Sequence, residues 1–258
     1  MLIPALLLGA LVGLVLGLVG AGGSIIAIPA LVLGLGLSLE AAIPASLVVV
    51  GISSVIAAVP RARTGVDWRV AGLVGLAGIP AAWAGTALGR IIDQHFLLLS
   101  FSAVMVLAGV RMLADKSSRP GPCAGATRSW RSCAPRAVAV GILVGTLTGL
   151  FGVGGGFLIL PALTLLLGIP LRRAVGTSLV IIVLNSAAGL SAHAVGFEFD
   201  WSVLGIFAAS AIVASLAAAL LAGRLPDRLI RTGFAVLVFL TAVVVATSAI
   251  FALVSSGR

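Results

Sequence analysis

The chain has 258 residues, of which 61% are hydrophobic and 9% are charged, and its formal net charge is +9. Soluble domains carry about 25% charged residues, so this composition excludes a soluble globular protein and indicates a polytopic membrane protein. The cations are nearly all arginines between apolar segments, which is typical of orientation signals and does not indicate nucleic-acid binding. The expected partners are the lipid bilayer and a small solute, without a cofactor.

The first half predicts one interrupted apolar segment followed by three full spans. Residues 2–19 are apolar, glycines interrupt the run at 20–24, and residues 25–37 are apolar again. As a helix, that last run of ~13 residues reaches only ~20 Å, against ~30 Å of hydrocarbon. Full spans are predicted at 41–60, 70–89 and 96–113.

A polar stretch at 114–136 separates this half from the next and predicts a linker. It contains both cysteines, Cys123 and Cys133, without a nearby cluster of His or acidic residues. Because a zinc site needs about four ligands, we interpret them as residues without a specific role.

The second half repeats the plan of the first. An apolar run at 137–151 precedes glycines at 152–156 and a short apolar run at 157–169, and further spans are predicted at 174–192, 202–223 and 232–254. The predicted organisation is therefore a first membrane repeat at 1–113, a cytoplasmic linker at 114–136 and a second membrane repeat at 137–258.

The two glycine clusters belong to a duplicated motif. We call residues 20–24 the first glycine turn and residues 152–156 the second glycine turn; they begin 132 positions apart. Between Leu16–Leu31 and Thr148–Leu163, eight of sixteen positions are identical, including Pro29 and Pro161. Proline bends a helix, so both short apolar helices are expected to bend there.

The charges of the loops predict that the two halves face opposite ways. The loop at 61–69 is basic and its counterpart at 193–201 is acidic; the loop at 90–95 is neutral and its counterpart at 224–231 is basic. Basic loops face the cytoplasm. The predicted fold is thus all-α, with two inverted repeats that each contain a re-entrant helical hairpin and three full transmembrane helices, both termini outside, and the solute site near the midplane.

A glycine turn inside a membrane protein predicts an anion site. Irregular backbone at membrane depth must line protein or water, and a helix beginning there exposes N–H groups carrying about +0.5 charge. Glycine leaves those groups unobstructed. No Lys, Arg, Asp or Glu lies well inside any span, so a bound anion must be held by neutral donors.

The candidate substrate-binding residues are the glycines of both turns and the polar residues of the spans that follow. They are Gly20, Gly22, Gly23, Ser24, Ser46, Ser53, Gly152, Gly154, Gly155, Gly156, Thr177, Ser178, Asn185 and Ser186, with Ser54 as a further hydroxyl and Pro29 and Pro161 as structural residues. Two bland interpretations stay open, since glycines also serve close helix packing and hydroxyls in helices often bond their own backbone.

With this duplicated Gly-rich turn and its following Pro-Ala-Leu, the chain resembles the sulfite exporter TauE/SafE family of membrane permeases. Ser24 stands where the second copy has Gly156. The resemblance implies a carrier of small sulfur-containing anions, such as sulfite or sulfonates, in the plasma membrane. We expect a multi-pass protein of the bacterial inner membrane that exports its anion by alternating access, and a homo-oligomer is possible. A channel-like facilitator for another small solute is the alternative. An enzyme is not indicated, because the apolar segments contain no acid pair, metal cluster or nucleophile with a base.

Overall fold

The structure, a computed structural model, describes residues 2–63, 65–89, 91–92, 94–114, 123, 130–151, 156–192 and 201–256. Within them the chain forms ten α-helices, which confirms the predicted all-α fold. Their bounds are α1 Leu2–Val19, α2 Gly23–Pro29, α3 Leu39–Ala58, α4 Trp68–Gly89, α5 Gln94–Ala114, α6 Trp130–Phe151, α7 Gly156–Pro161, α8 Leu171–Ala192, α9 Trp201–Ala222 and α10 Asp227–Ser256.

The first interrupted segment is a hairpin. The chain reverses after α1, and a Cβ placed on Gly23 would lie 2.9 Å from the Cβ of Leu16. We call residues 23–35 the first return leg and residues 156–167 the second return leg. Further along the first one, Gly34 lies against the side chain of Leu8. Because higher residue numbers on the return leg meet lower numbers on α1, the leg runs back toward the side from which α1 begins.

Each return leg changes its helix type at its proline. After Pro29 a π-helical turn runs from Ala30 to Gly34, and after Pro161 another runs from Ala162 to Leu166. Proline has no N–H to donate to the carbonyl four residues earlier, and π-helical turns are rare features that often occur at functional sites. The interruption therefore occurs at equivalent positions in both halves.

Helices of the first half pack against helices of the second half. Glycines of α1 pack against the backbone of α9, as Gly13 does against Ala211, and glycines of α6 pack against α4, as Gly149 does against Ala82. The helices α3 and α8 pack against each other between the halves, and α5 packs against α10. On α3 and α8, Gly51 meets Ser186 while Gly189 meets Leu47, so these two helices run antiparallel.

Six helices of the described residues are long and apolar enough to cross a membrane. They are Leu2–Val19, Ala41–Arg61, Trp68–Gly89, Trp130–Leu150, Leu171–Leu190 and Val203–Ala222, with Leu99–Ala114 as a shorter apolar helix. Large apolar side chains such as Leu76, Trp83 and Val213 are exposed on the outside of the bundle. Exposed large apolar side chains on a bundle of this length suit contact with lipid.

One end of the bundle collects the arginines. Arg69 lies 5.7 Å from the ring centroid of Trp130, which joins the beginnings of α4 and α6. Arg172 bonds Asp227 at 3.1 Å, which joins the beginnings of α8 and α10. We call this end the basic face; its described arginines include Arg61, Arg63, Arg69, Arg131, Arg172, Arg173, Arg224, Arg228 and Arg231.

The interpretation of the cysteines as residues without a role is wrong. Cys123 and Cys133 form a disulfide, with their Cα atoms 5.1 Å apart. The two residues are only ten positions apart, but spacing alone does not tell a bonded pair from two free thiols. Helix α6 begins at Trp130, so Cys133 lies in its first turn, earlier than the apolar run beginning at residue 137.

Candidate substrate site

The first glycine turn is held by helix α8. Gly20 has a φ of 73°, a left-handed backbone conformation that only glycine adopts readily. Its N–H donates to the carbonyl of Leu16 at 2.7 Å, and its own carbonyl accepts a hydrogen bond from the Ser178 hydroxyl at 2.9 Å. Ser178 is about 10 Å from the beginning of α8, a helix of about 33 Å, so the turn lies between the basic face and the middle of α8.

The glycines of this turn are closely packed. A Cβ on Gly20 would lie 2.7 Å from Val175 Cγ1, and one on Gly22 would lie 2.6 Å from Leu237 Cδ2. Real Cβ atoms essentially never lie within 3.0 Å of another heavy atom. At Gly20 a larger residue would also meet the backbone oxygen of Val175, whereas at Gly22 it would meet only the ends of the Leu237 and Val15 side chains.

The second glycine turn lies mostly outside the described residues, including Gly152, Gly154 and Gly155. Gly156 is buried and begins α7, the counterpart of α2. The backbone of Ser24 lies in α2, but its side chain is outside the described atoms. The return legs containing α2 and α7 contact each other, so the two halves meet through them.

Three of the predicted hydroxyls are satisfied by backbone groups. Ser46 donates to the carbonyl of Ile43 at 2.7 Å, and Thr177 donates to that of Arg173 at 2.7 Å while accepting from the N–H of Asp67. Ser178 shares its hydrogen between the carbonyls of Gly20 and Val175. These three side chains stabilise helices and their contacts.

Two hydroxyls on α3 have no such partner. Ser53 and Ser54 are fully buried, and neither Oγ atom makes a hydrogen bond. Buried polar side-chain atoms are hydrogen-bonded in the large majority of cases, and a serine in a helix can usually reach the carbonyl of the preceding turn. The hydroxyls of Ser53 and Ser54 are therefore two adjacent buried donors that no described group satisfies.

Asn185 and Ser186 lie on α8, opposite this part of α3. A Cβ on Gly51 would lie 3.1 Å from the Cβ of Ser186. Since Ser54 follows Gly51 by three residues, it is on the same face of α3 and faces the same α3–α8 interface. Ser53 and Asn185 are 132 positions apart, as are Ser54 and Ser186, which is the separation of the two glycine turns.

Asn185 also approaches α4. Its Oδ1 atom would lie 3.9 Å from a Cβ on Gly78, and Gly75 of the same helix lies against Leu184. Ser54 and Ser186 thus lie at the α3–α8 interface and Asn185 lies toward α4, while the carbonyl of Ser53 accepts a hydrogen bond from the Ser215 hydroxyl of α9 at 3.3 Å. Among the described residues, no group of three or more His, Cys, Asp or Glu could hold a metal ion.

The sequence pattern missed Arg61, which we assigned only to a basic loop. Its Nη1 donates to Ala57 and its Nη2 to Gly17 and Ala219, all through backbone carbonyls. These carbonyls belong to the last turns of α3, α1 and α9. The sequence contains no signal for these contacts, because two of the partners are distant in the chain and are chosen by helix packing.

Comparisons with known proteins agree on one kind of protein. The model of the sulfite exporter TauE/SafE family matches residues 5–255. A probable membrane transporter protein of Xylella fastidiosa (strain 9a5c) is 35% identical over 218 residues, covering 84% of this chain and 83% of the relative. The probable membrane transporter protein YunE of Bacillus subtilis (strain 168) is 30% identical, covering 75% and 78% of the two chains.

Proposed function

Because the chain belongs to the sulfite exporter TauE/SafE family of membrane transporters, we propose that it moves a small anion, such as sulfite, a sulfonate or a related sulfur-containing anion, by alternating access. The family and the relatives are transporters rather than enzymes. The unsatisfied hydroxyls of Ser53 and Ser54 are the observation that carries the choice of site. Two buried donors without partners suit a ligand that brings its own acceptors.

Alternating access is supported by how the halves are arranged. Helices α3 and α8 are antiparallel and occupy equivalent places in the two halves, as do α5 and α10. A two-fold relation that makes equivalent helices antiparallel has its axis in the membrane plane. We therefore propose inverted repeats, an architecture in which transporters bind their solute between the halves.

The proposed anion is held by neutral donors. Ser53 and Ser54 donate from α3, while Asn185 and Ser186 are available on α8. The glycine turns contribute through the N–H groups at the beginnings of α2 and α7, which carry partial positive charge. Neutral donors bind an anion less tightly than a buried cation does, which allows release on the far side.

The membrane potential can then drive export. We propose that the protein lies in the bacterial inner membrane with its basic face in the cytoplasm, because basic loops stay on that side. The stretch at 114–136 is then a cytoplasmic linker between membrane repeats at 1–113 and 137–258. A monoanion leaving an inside-negative cell gains ~2.3 kcal/mol per 100 mV, so export needs no coupled ion.

Flux in proteoliposomes tests this proposal. Radiolabelled sulfite and a small sulfonate are loaded inside, and efflux is compared between the native protein and the double variant Ser53→Ala, Ser54→Ala. A hydrogen bond to a charged group is worth about 1.5–3 kcal/mol, so we expect efflux at limiting substrate to fall by about tenfold or more.

The matched control is Ser100→Ala on α5, whose hydroxyl donates to its own helix at the carbonyl of Leu97. We expect this variant to transport normally. Equal efflux in all three proteins would place the site elsewhere, and the absence of sulfur-anion efflux by the native protein would remove the proposed substrate. Efflux that persists with pH and sodium gradients clamped would support transport without a coupled ion.

A further inference from the structure

We propose that Cys123 and Cys133 form a reversible redox site on the basic face. The chain has only these two cysteines, so each has a single possible partner within the molecule. Cys133 lies in the first turn of α6. Closing the bond therefore fixes Cys123 to the beginning of a membrane helix.

The bond also reaches the second return leg. The N–H of Cys123 donates to the carbonyl of Leu167 at 3.3 Å. Leu167 directly follows the π-helical turn after α7, only four residues before α8 begins. The disulfide and this hydrogen bond together connect the beginning of α6 with the end of the second return leg, so the bond bridges the open end of the second hairpin.

The location of the bond makes it a redox site rather than a permanent crosslink. This step rests on the proposed orientation, in which the basic face lies in the cytoplasm. Thiol reductants keep cysteines reduced there, and the disulfides that do form in that compartment are usually transient and redox-sensing. The same pair in an oxidising compartment would be a structural disulfide.

The chemistry is thiol–disulfide exchange. A thiolate of a dithiol reductant attacks one cysteine sulfur, breaks the S–S bond and forms a mixed disulfide, and the second thiolate of the reductant then resolves it. Two electrons and two protons pass to the pair, which becomes two thiols, while the reductant becomes a disulfide. A small disulfide oxidant runs the same exchange in reverse.

The reduced protein would lose the covalent hold on residue 123. The hydrogen bond to Leu167 then acts alone, and a single backbone hydrogen bond is a far weaker connection than a covalent bond. Oxidation restores the connection across the second hairpin. Since Cys123 and Cys133 are 3% and 0% exposed, exchange should be slow, over minutes or longer.

Thiol counting in cells is the first test. Cells expressing the full chain are quenched in acid, denatured and treated with a polyethylene-glycol maleimide that adds a fixed mass for each free thiol. We expect two additions from resting cells and none after treatment with a membrane-permeant disulfide oxidant, and two again after recovery. The variant Cys123→Ser should show one addition in every condition.

Two outcomes would overturn the proposal. Without prior reduction, zero additions from resting cells would mean a permanent disulfide. Two additions after oxidant would mean that the bond does not form in the membrane protein. Neither outcome depends on transport. The proposal of a redox site and the proposal of a sulfur-anion substrate can therefore be contradicted independently of each other.

Trypsin digestion of inverted membrane vesicles tests both the orientation of the protein and the effect of the disulfide on the linker. Lys116, Arg119 and Arg128 supply cleavage points in the linker. We expect cleavage in inverted vesicles but not in intact spheroplasts, several-fold faster after reduction, and without a redox effect in Cys123→Ser. Cleavage from the outer side would remove the premise, and equal rates in both redox states would show that the bond does not hold the segment.

Discussion

The guanidinium of Arg61 donates a hydrogen bond to the carbonyl of Gly17 at 2.8 Å, three residues before the first glycine turn begins. The same Nη2 donates to Ala219 at 3.3 Å, and Nη1 donates to Ala57 at 2.9 Å. The last carbonyls of a helix have no intrahelical partner and carry partial negative charge. Arg61 therefore compensates the C-terminal ends of α1, α3 and α9 at once.

Replacing Arg61 should destabilise the protein more than replacing the exposed Arg63 does. In Arg61→Gln the three carbonyls lose a charged donor, and bonds of this kind are worth about 1.5–3 kcal/mol each when fully formed. We expect a loss of about 3 kcal/mol in all, because the side chain is only partly buried and water replaces some of the bonds. Arg61→Lys keeps the charge but cannot reach three carbonyls, so its loss should be intermediate.

Unfolding in mixed detergent micelles measures this difference. Arg63→Gln is the control, because Arg63 lies in the same loop and is exposed. If Arg61→Gln and Arg63→Gln unfold at the same denaturant concentration, the three-helix contact of Arg61 contributes nothing in the membrane protein.

Alanine substitutions at Gly20 and Gly36 distinguish the cost of backbone strain from the cost of steric crowding. Both have a positive φ, 73° and 71°, so alanine at either position adopts a left-handed conformation costing roughly 1–2 kcal/mol. A Cβ at Gly36 meets nothing within 4 Å, whereas one at Gly20 would lie 2.7 Å from both Val175 Cγ1 and the Val175 carbonyl oxygen. Gly20→Ala should therefore be distinctly less stable than Gly36→Ala.

The comparison is read from thermal unfolding of both variants beside the native protein. We expect a small loss for Gly36→Ala and a larger one for Gly20→Ala, because the backbone of α8 has no flexible end to move aside. Equal losses would mean that the first glycine turn has more room than the structure gives it.

Much of the fold follows from the sequence, because the length of an apolar run predicts whether it can span the hydrocarbon as a helix. Every predicted apolar segment became a helix, and the run at 70–89 became α4 at Trp68–Gly89. The short run after the first glycine turn could be read as a return leg because ~13 residues do not reach across the hydrocarbon. Length alone could not show that α1 packs on α9, since partner choice depends on matched surfaces far apart in the chain.

The candidate site was less accessible to sequence reasoning, and its role stays a prediction. Ser46 and Ser53 look alike in the sequence, but Ser46 bonds the carbonyl of Ile43 and Ser53 has no partner. That difference depends on side-chain rotamer and on neighbouring helices. The pairing of Cys123 with Cys133 was missed for the same kind of reason, because it depends on where α6 begins.

Ser178 and Ser46 offer a matched test of the hydrogen bond between Ser178 and the carbonyl of Gly20 in the first glycine turn. Both donate to the carbonyl three residues earlier, of Val175 and Ile43, but only Ser178 also reaches Gly20. Ser178→Ala leaves the buried carbonyl of Gly20 with one partner fewer, so it should lose about 1 kcal/mol more than Ser46→Ala does. Unfolding of the two single variants measures this, and identical losses would show that the contact with Gly20 adds nothing.

The charge of the transported anion gives the sharpest test of a site without cations. The sequence has no Lys or Arg within 41–60 or 174–192, the stretches that contain Ser53, Ser54, Asn185 and Ser186. The cost of moving an ion out of water grows with the square of its charge, so a dianion costs about four times as much as a monoanion of the same size. Neutral donors recover less of that cost than a buried cation does.

We therefore expect a small sulfonate to be transported much faster than sulfate, which stays doubly charged at neutral pH. Sulfite should move faster as the pH falls and its singly protonated form accumulates, while efflux of the sulfonate, singly charged throughout, should barely change. The measurement is efflux of each anion from the same proteoliposomes between mildly acidic and mildly alkaline pH, and the pH-independent sulfonate controls for the stability of the protein. Sulfate efflux equal to that of the sulfonate would contradict a site that discriminates by charge, and the α3–α8 interface would no longer be the place to look for the site.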